Sequence, residues 1–203
     1  MGDKAQNSEP NWINTDEAED VAASVRHVLR CWTMISDDDQ AWKWVALALH
    51  AALQGACVNH LVSTASPLGI VTKRNTEEWT AYFEASRTDP EVAPPETYLL
   101  TLPELLKAVR KPGSVGGVGD PAAVVITDQE LSWLRRFNDD LRNQFVHFEP
   151  RGWSIEVSGM PALAALVAKI VGAILDRGWA FRHKAADWRD ALRRDLAAMS
   201  ALN

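Results

Sequence analysis

Cysteine is scarce in this chain: Cys31 and Cys57 are the only two among 203 residues. Both fall inside helical patterns, so they form no disulfide framework and read as small core residues of a protein in a reducing compartment. Positive charge is not in excess. Lys and Arg number 21 against 27 Asp and Glu, a formal net charge of −6. That balance excludes a protein holding nucleic acid through a broad basic surface, though it leaves room for a local basic cleft. Long hydrophobic runs are missing too. The longest, residues 162–175, is broken by Lys169 and is shorter than the roughly 20 residues that span a bilayer. Residues 1–14 are polar, carry Asp3 and Glu9, and do not resemble a secretory signal. These absences lead to the expectation of a soluble cytoplasmic protein, with residues 1–15 as a flexible lead-in and no membrane partner.

Several catalytic signatures are absent as well. No Gly-x-Ser-x-Gly elbow is present, which removes the support for a Ser/His/Asp hydrolase. The glycine-rich stretch 113–119 lacks the Lys-Ser/Thr ending of a phosphate-binding loop and follows no clear strand, so it reads as a connector. Cys57 and His60 resemble half of a metal site, but no second Cys/His pair matches them. Neither a metal nor a cofactor is expected.

Helical periodicity dominates what is there. Hydrophobic residues make up 47% of the chain, enough for a substantial core. Residues 16–35 place Val21, Val25, Val28, Leu29 and Trp32 on one face behind an acidic start. Ser36-Asp37-Asp38-Asp39 then offers a cap for a second helix over 40–62, apolar nearly all round and therefore central. Lys43, His50 and Gln54 form its polar row. From 63 to 126 the pattern loosens into an insertion or side lobe, with a short helix at 75–86 and another at 102–110. A helix over 127–148 opens on the capping box Thr127/Glu130 and is stopped by Pro150. Residues 153–157 alternate like a short strand or extended arm, a helix follows from Pro161 to Arg177, and a last amphipathic helix covers 184–202. The fold class expected is a single all-α domain, residues 16–203, built as a helical bundle.

The 127–148 helix carries the residues of most interest. Leu134, Phe137, Leu141, Phe145 and Phe148 form its apolar stripe. At about 100° per residue, Arg142 falls roughly 100° from the stripe's centre, His147 about 120° away on the other side, and Asn143 nearly opposite. The plain reading of that face is a solvated surface laced with charge pairs such as Asp139 with Arg142. Val146 fits it poorly, because an apolar side chain there implies that another helix or subunit covers the face. Histidine, the side chain that titrates nearest neutrality, beside an arginine and an orienting amide suits phosphoryl transfer: one group moves protons, the other steadies charge on phosphate oxygens.

Arg142-Asn143-x-x-x-His147 near the end of a bundle helix resembles the signature of the HEPN superfamily: arginine, a polar residue, a short spacer and histidine. Membership would imply an α-helical bundle, usually dimeric, and for many members a metal-independent endoribonuclease of toxin-antitoxin, defence or RNA-processing systems. It would make Arg142 and His147 the catalytic pair, with Asn143 as supporting residue and the RNA 2′-hydroxyl as the attacking group. Two copies of the motif would meet across a homodimer, covering Val146, and an antitoxin or other product of a neighbouring gene would be a partner. The resemblance spans about twenty residues and the general helical pattern. The acidic balance, Asp139, Asp140 and Glu149 near the motif, and the irregular stretch before it depart from what a nuclease member would show. The competing expectation is a non-catalytic bundle that binds a partner protein or a nucleotide.

Nine tryptophans are many for this length. Trp42, Trp44 and Trp133 are expected as core or interface anchors, since basic residues do not surround them. Trp153, just past the motif, is expected either to clamp the arm onto the bundle or to cover the Arg142/His147 site and set its access.

Overall fold

The computed structural model describes residues 12–62, 67–114, 124–147, 150 and 152–203. Helix α1, Glu17–Trp32, starts where the Asp16 carboxylate accepts from the Glu19 amide at 2.8 Å, with Glu17, Glu19 and Asp20 in the first turn facing the positive end of the helix. Its buried face is Ala18, Val21, Ala22, Val25, Val28 and Cys31, as the periodicity requires. Helix α2, Ala41–Leu61, is the centre of the molecule. Its buried residues, from Ala41 to Leu61, cover most of the circumference, and it packs on α1, on helices α4 (Leu102–Val109) and α7 (Met160–Asp176), and on the middle of the motif helix. The expected acidic cap is weaker than the sequence suggests: Asp38 accepts from the Gln40 amide at 2.8 Å, but no side chain caps the helix itself.

Close approach of α1 and α2 depends on Gly55. A Cβ built there would sit 2.8 Å from Val21 Cγ2, inside any ordinary contact, so only glycine lets the two helices lie at this separation.

Helix α3, Lys73–Ala85, begins two residues earlier than the apolar pattern indicates, because Thr72 caps it by accepting from the Asn75 amide at 3.4 Å. Asn75 is buried and holds the following loop through bonds to the Glu96 carbonyl and from the Tyr98 amide, both 2.8 Å. Val71 and Leu99 form an isolated antiparallel bridge. Helix α4, Leu102–Val109, carries a complete capping box between Thr101 and Glu104. It does not behave as a loose lobe. Leu102, Leu105, Leu106 and Val109 are core residues, as are Ile70, Val71, Val124 and Ile126, so much of the 63–126 stretch belongs to the central packing.

The motif helix opens with α5, Asp128–Arg136, capped by Thr127 and Glu130 in the reciprocal arrangement foreseen, and Glu130 also receives Lys169 of α7 at 2.7 Å. Helix α7, Met160–Asp176, is largely buried, with Pro161 in its first turn; α8, Ala186–Ser200, packs on α7 and α1. Lys184, just before α8, reaches Asp16 at 2.9 Å and Glu19 at 2.7 Å, tying its entry to the start of α1. The architecture is an all-α bundle. Among the described residues there is no strand: 153–157 forms an irregular arm without ladder partners. No described helix is long and apolar enough to cross a membrane.

Candidate functional site

The helix bearing the motif is not a single α-helix. After α5 the backbone widens into a π-helical segment, Phe137–Arg142, and closes with one α turn, α6, Asn143–Val146. The Asn143 amide bonds to the Asn138 carbonyl, five residues back, which puts one more residue into that turn than α geometry allows. Residues beyond it are therefore rotated back by about one position relative to a continuous wheel. The physical result is visible in burial. Leu134 and Phe137 are in the core as expected, but Leu141 and Phe145 are only half-buried, and Arg142 turns from the solvent side to a half-buried position. Phe148, the last residue of the stripe, lies outside the described residues.

The wide turn also buries Asn138, which is 9% exposed and meets His50 of α2 at 3.1 Å between Oδ1 and Nε2. The Asn138 amide nitrogen donates to Asp139 Oδ1 at 2.7 Å, which turns the carbonyl toward the imidazole. His50 therefore carries its proton on Nε2 and presents Nδ1 as an acceptor. Burial, joined by the charge of Arg142 and opposed by the Asn138 bond, pushes the His50 pKa down to about 4. It is a neutral imidazole at neutral pH. His50, from the polar row of α2, thus supports the motif helix.

His50 and Arg142 line the same cavity, of about 970 Å³, between α1, α2, α3 and the π segment. Its walls are apolar over much of their extent, including Leu47, Ala51, Val58, Ile70 and Trp79, with Gln54 between them and Glu17 and Asp20 at the α1 side. Arg142 donates from Nη1 to Asn143 Oδ1 at 2.9 Å and has no carboxylate partner among the described residues.

His147 lies elsewhere. It ends α6 with φ −111° and ψ 89°, outside helical geometry, its amide still bonded to the Asn143 carbonyl at 2.8 Å. Its side chain is exposed in a second groove of about 440 Å³, shared with Asp139, Asp140, Asn143, Gln144, Gly152 and Trp153. Of the three sequence candidates, Asn143 is the common element: it holds Arg142 and lines the groove of His147. Within one chain, Arg142 and His147 line different cavities. Val146 and Trp153 are 41% and 39% exposed, and Trp153 packs edge-on against Phe145 with centroids 4.8 Å apart. Trp153 clamps the arm to the helix and forms one wall of the His147 groove.

The other candidates resolve into structure. Cys57 is fully buried, its thiol pushed up to about 12 by desolvation, and no metal-holding cluster is found among the described residues. Cys31 is also buried, and both thiols are free. His60 meets the Ser114 hydroxyl at 2.9 Å through Nε2; that hydroxyl donates to the Val109 carbonyl, so Nε2 is the donor and buried Nδ1 is left without a partner. Burial, then the charge of Arg177, push its pKa down to about 4. Trp42 packs edge-on against Trp32, Trp133 is half-buried against the core, and Trp44 is half exposed, under the Lys43 ammonium. Asn138 is the functional neighbour the sequence reading missed. A polar residue beside Phe137, on the edge of an apolar stripe and opposite a histidine row, is the signal that marks it.

No family model, curated protein or solved structure matches this chain.

Proposed function

We propose that this protein is a HEPN-like helical bundle that cleaves RNA at a site built from Arg142, Asn143 and His147, completed when two copies meet. The observation carrying this reading is that Asn143, which holds Arg142 by a hydrogen bond, lines one groove with an exposed His147 and Trp153, while Val146, next to His147 in the chain, is exposed apolar surface. In the reaction the RNA 2′-hydroxyl attacks the adjacent phosphorus and the bond to the 5′-oxygen breaks, leaving a 2′,3′-cyclic phosphate and a 5′-hydroxyl. His147 transfers the proton and Arg142 steadies charge on the phosphate oxygens; such groups typically contribute factors of about 100 to 10,000 in rate. Because Arg142 and His147 line different cavities of one chain, the reading calls for the second copy to bring its own Arg142 or His147 across a two-fold interface. A toxin, defence or RNA-processing role, with an antitoxin or neighbouring-gene partner, belongs to the same proposal.

A second reading, a non-catalytic bundle that binds a partner protein or a nucleotide, is favoured by one feature. Asp139 and Asp140 share the His147 groove and repel a phosphate backbone. Purified protein incubated with mixed RNAs in EDTA separates the two readings. Cleavage that falls at least about 100-fold in His147→Ala and in Arg142→Ala supports the nuclease. Intact RNA at high protein concentration, or equal cleavage by wild type and variants, refutes it in favour of the bundle that only binds.

A further inference from the structure

The larger cavity has properties that RNA cleavage at His147 does not use. It is of the size that holds small molecules, about 970 Å³, largely apolar, with a few polar groups converging and a histidine of displaced pKa on its wall. Arg142 is a half-buried cation with no carboxylate partner among the described residues, and its guanidinium donates to the Asn143 amide. A half-buried guanidinium that the carboxylates of Asp16, Glu17 and Asp20, on the α1 side of the same cavity, do not pair directly favours an anion brought against it. His50, 6% exposed on the same wall, is neutral and adds no competing charge. Trp79 and Gln54 also line the cavity, one with a broad aromatic face and the other with an amide.

The groups around this cavity therefore call for an acceptor, carrying negative charge, attached to an apolar body. They also limit the charge. Glu17 and Asp20, both exposed on the α1 side, face the same space, so a di- or trianionic group such as a nucleotide phosphate meets repulsion that a single carboxylate avoids. Along α2 the lining residues Leu47, Ala51, Val58 and Val62 follow helical spacing, which lays an apolar track about 20 Å long beside the cation. We propose that this cavity binds a small monocarboxylate with an apolar body, its carboxylate on Arg142 and its hydrocarbon along the α2 wall.

The proposal is independent of the RNA reading except that Arg142 serves both. Calorimetric titration with butyrate, hexanoate and octanoate tests it, with 1-octanol and adenosine monophosphate as comparison ligands. Each added methylene is expected to tighten binding by roughly fourfold, octanoate should exceed 1-octanol by at least about 10-fold, and the nucleotide should bind more weakly than octanoate. Arg142→Gln should weaken octanoate by at least about 10-fold without changing 1-octanol. Ala51→Trp, which fills the track and leaves Arg142 in place, should weaken both ligands. His147→Ala should alter neither, which separates this site from the cleavage site. Octanoate binding that is undetectable, that does not depend on chain length, or that survives both Arg142→Gln and Ala51→Trp overturns the proposal. Should Arg142→Gln fail to fold, the octanoate/1-octanol comparison on wild type and the Ala51→Trp variant still decide it.

Discussion

Two buried histidines make this fold sensitive to mild acid. His50 and His60 are pushed down to about 4, by burial first and by the charges of Arg142 and Arg177 second, whereas an unfolded chain titrates near 6.5. Above that ordinary value both states are neutral and the stability is fully present. As the pH falls through it, the unfolded chain takes up protons that the folded chain refuses, so stability declines until the folded imidazoles also protonate near their lowered values. Between about pH 7 and about pH 5 each histidine is worth about 2 kcal/mol, and the pair about 4 kcal/mol. That is a large share of the 5–15 kcal/mol typical of a domain. Urea unfolding followed by far-ultraviolet circular dichroism at several pH values reads the slope directly. His50→Gln with His60→Gln keeps a donor toward Asn138 and Ser114 and removes the titration, so its stability should be flat over this window. A wild-type stability that does not fall between these pH values, or a double variant that falls as steeply, refutes the reasoning.

Two substitutions test the packing that positions the site. Gly55→Ala forces a methyl group to within 2.8 Å of the Val21 side chain at the α1–α2 contact and should cost about 1–3 kcal/mol, read as a lowered midpoint in thermal unfolding; an unchanged midpoint would show that α1 moves aside freely. Asn138→Leu removes the acceptor for the buried His50 Nε2 proton and should cost about 1–3 kcal/mol in the same measurement. His50→Leu together with Asn138→Leu should recover part of that loss, because no donor is then left unsatisfied, and a double variant worse than the sum of its parts counts against the bond.

The helices were legible because their signals are local. The capping box at Thr127, the acidic start of α1 and the nearly continuous apolar surface of α2 each specify a boundary or a position without reference to the rest of the chain. α4 was harder to place. Its apolar face is plain in the sequence, but whether that face reaches the main core depends on contacts with α2 and α5, fifty residues upstream and twenty downstream. The motif residues were identified by type and misplaced by angle. A wheel drawn at constant pitch puts Arg142 toward solvent, and nothing in residues 137–142 announces that the backbone will widen there. The bond between Asn138 and His50 spans 88 positions of sequence and has no local signature.

Because of that wide turn, the helix from Asp128 to Val146 carries two faces out of phase with each other. The first half answers to the packing of the core through Leu131 and Leu134; the second sets Arg142, Asn143 and His147 along the walls of the two cavities. One extra residue thus serves as a phase key. Shortening the segment by a single position would swing the last turn by about 100° while leaving the buried front half in place, carrying Arg142 out of its cavity without touching the fold that surrounds it.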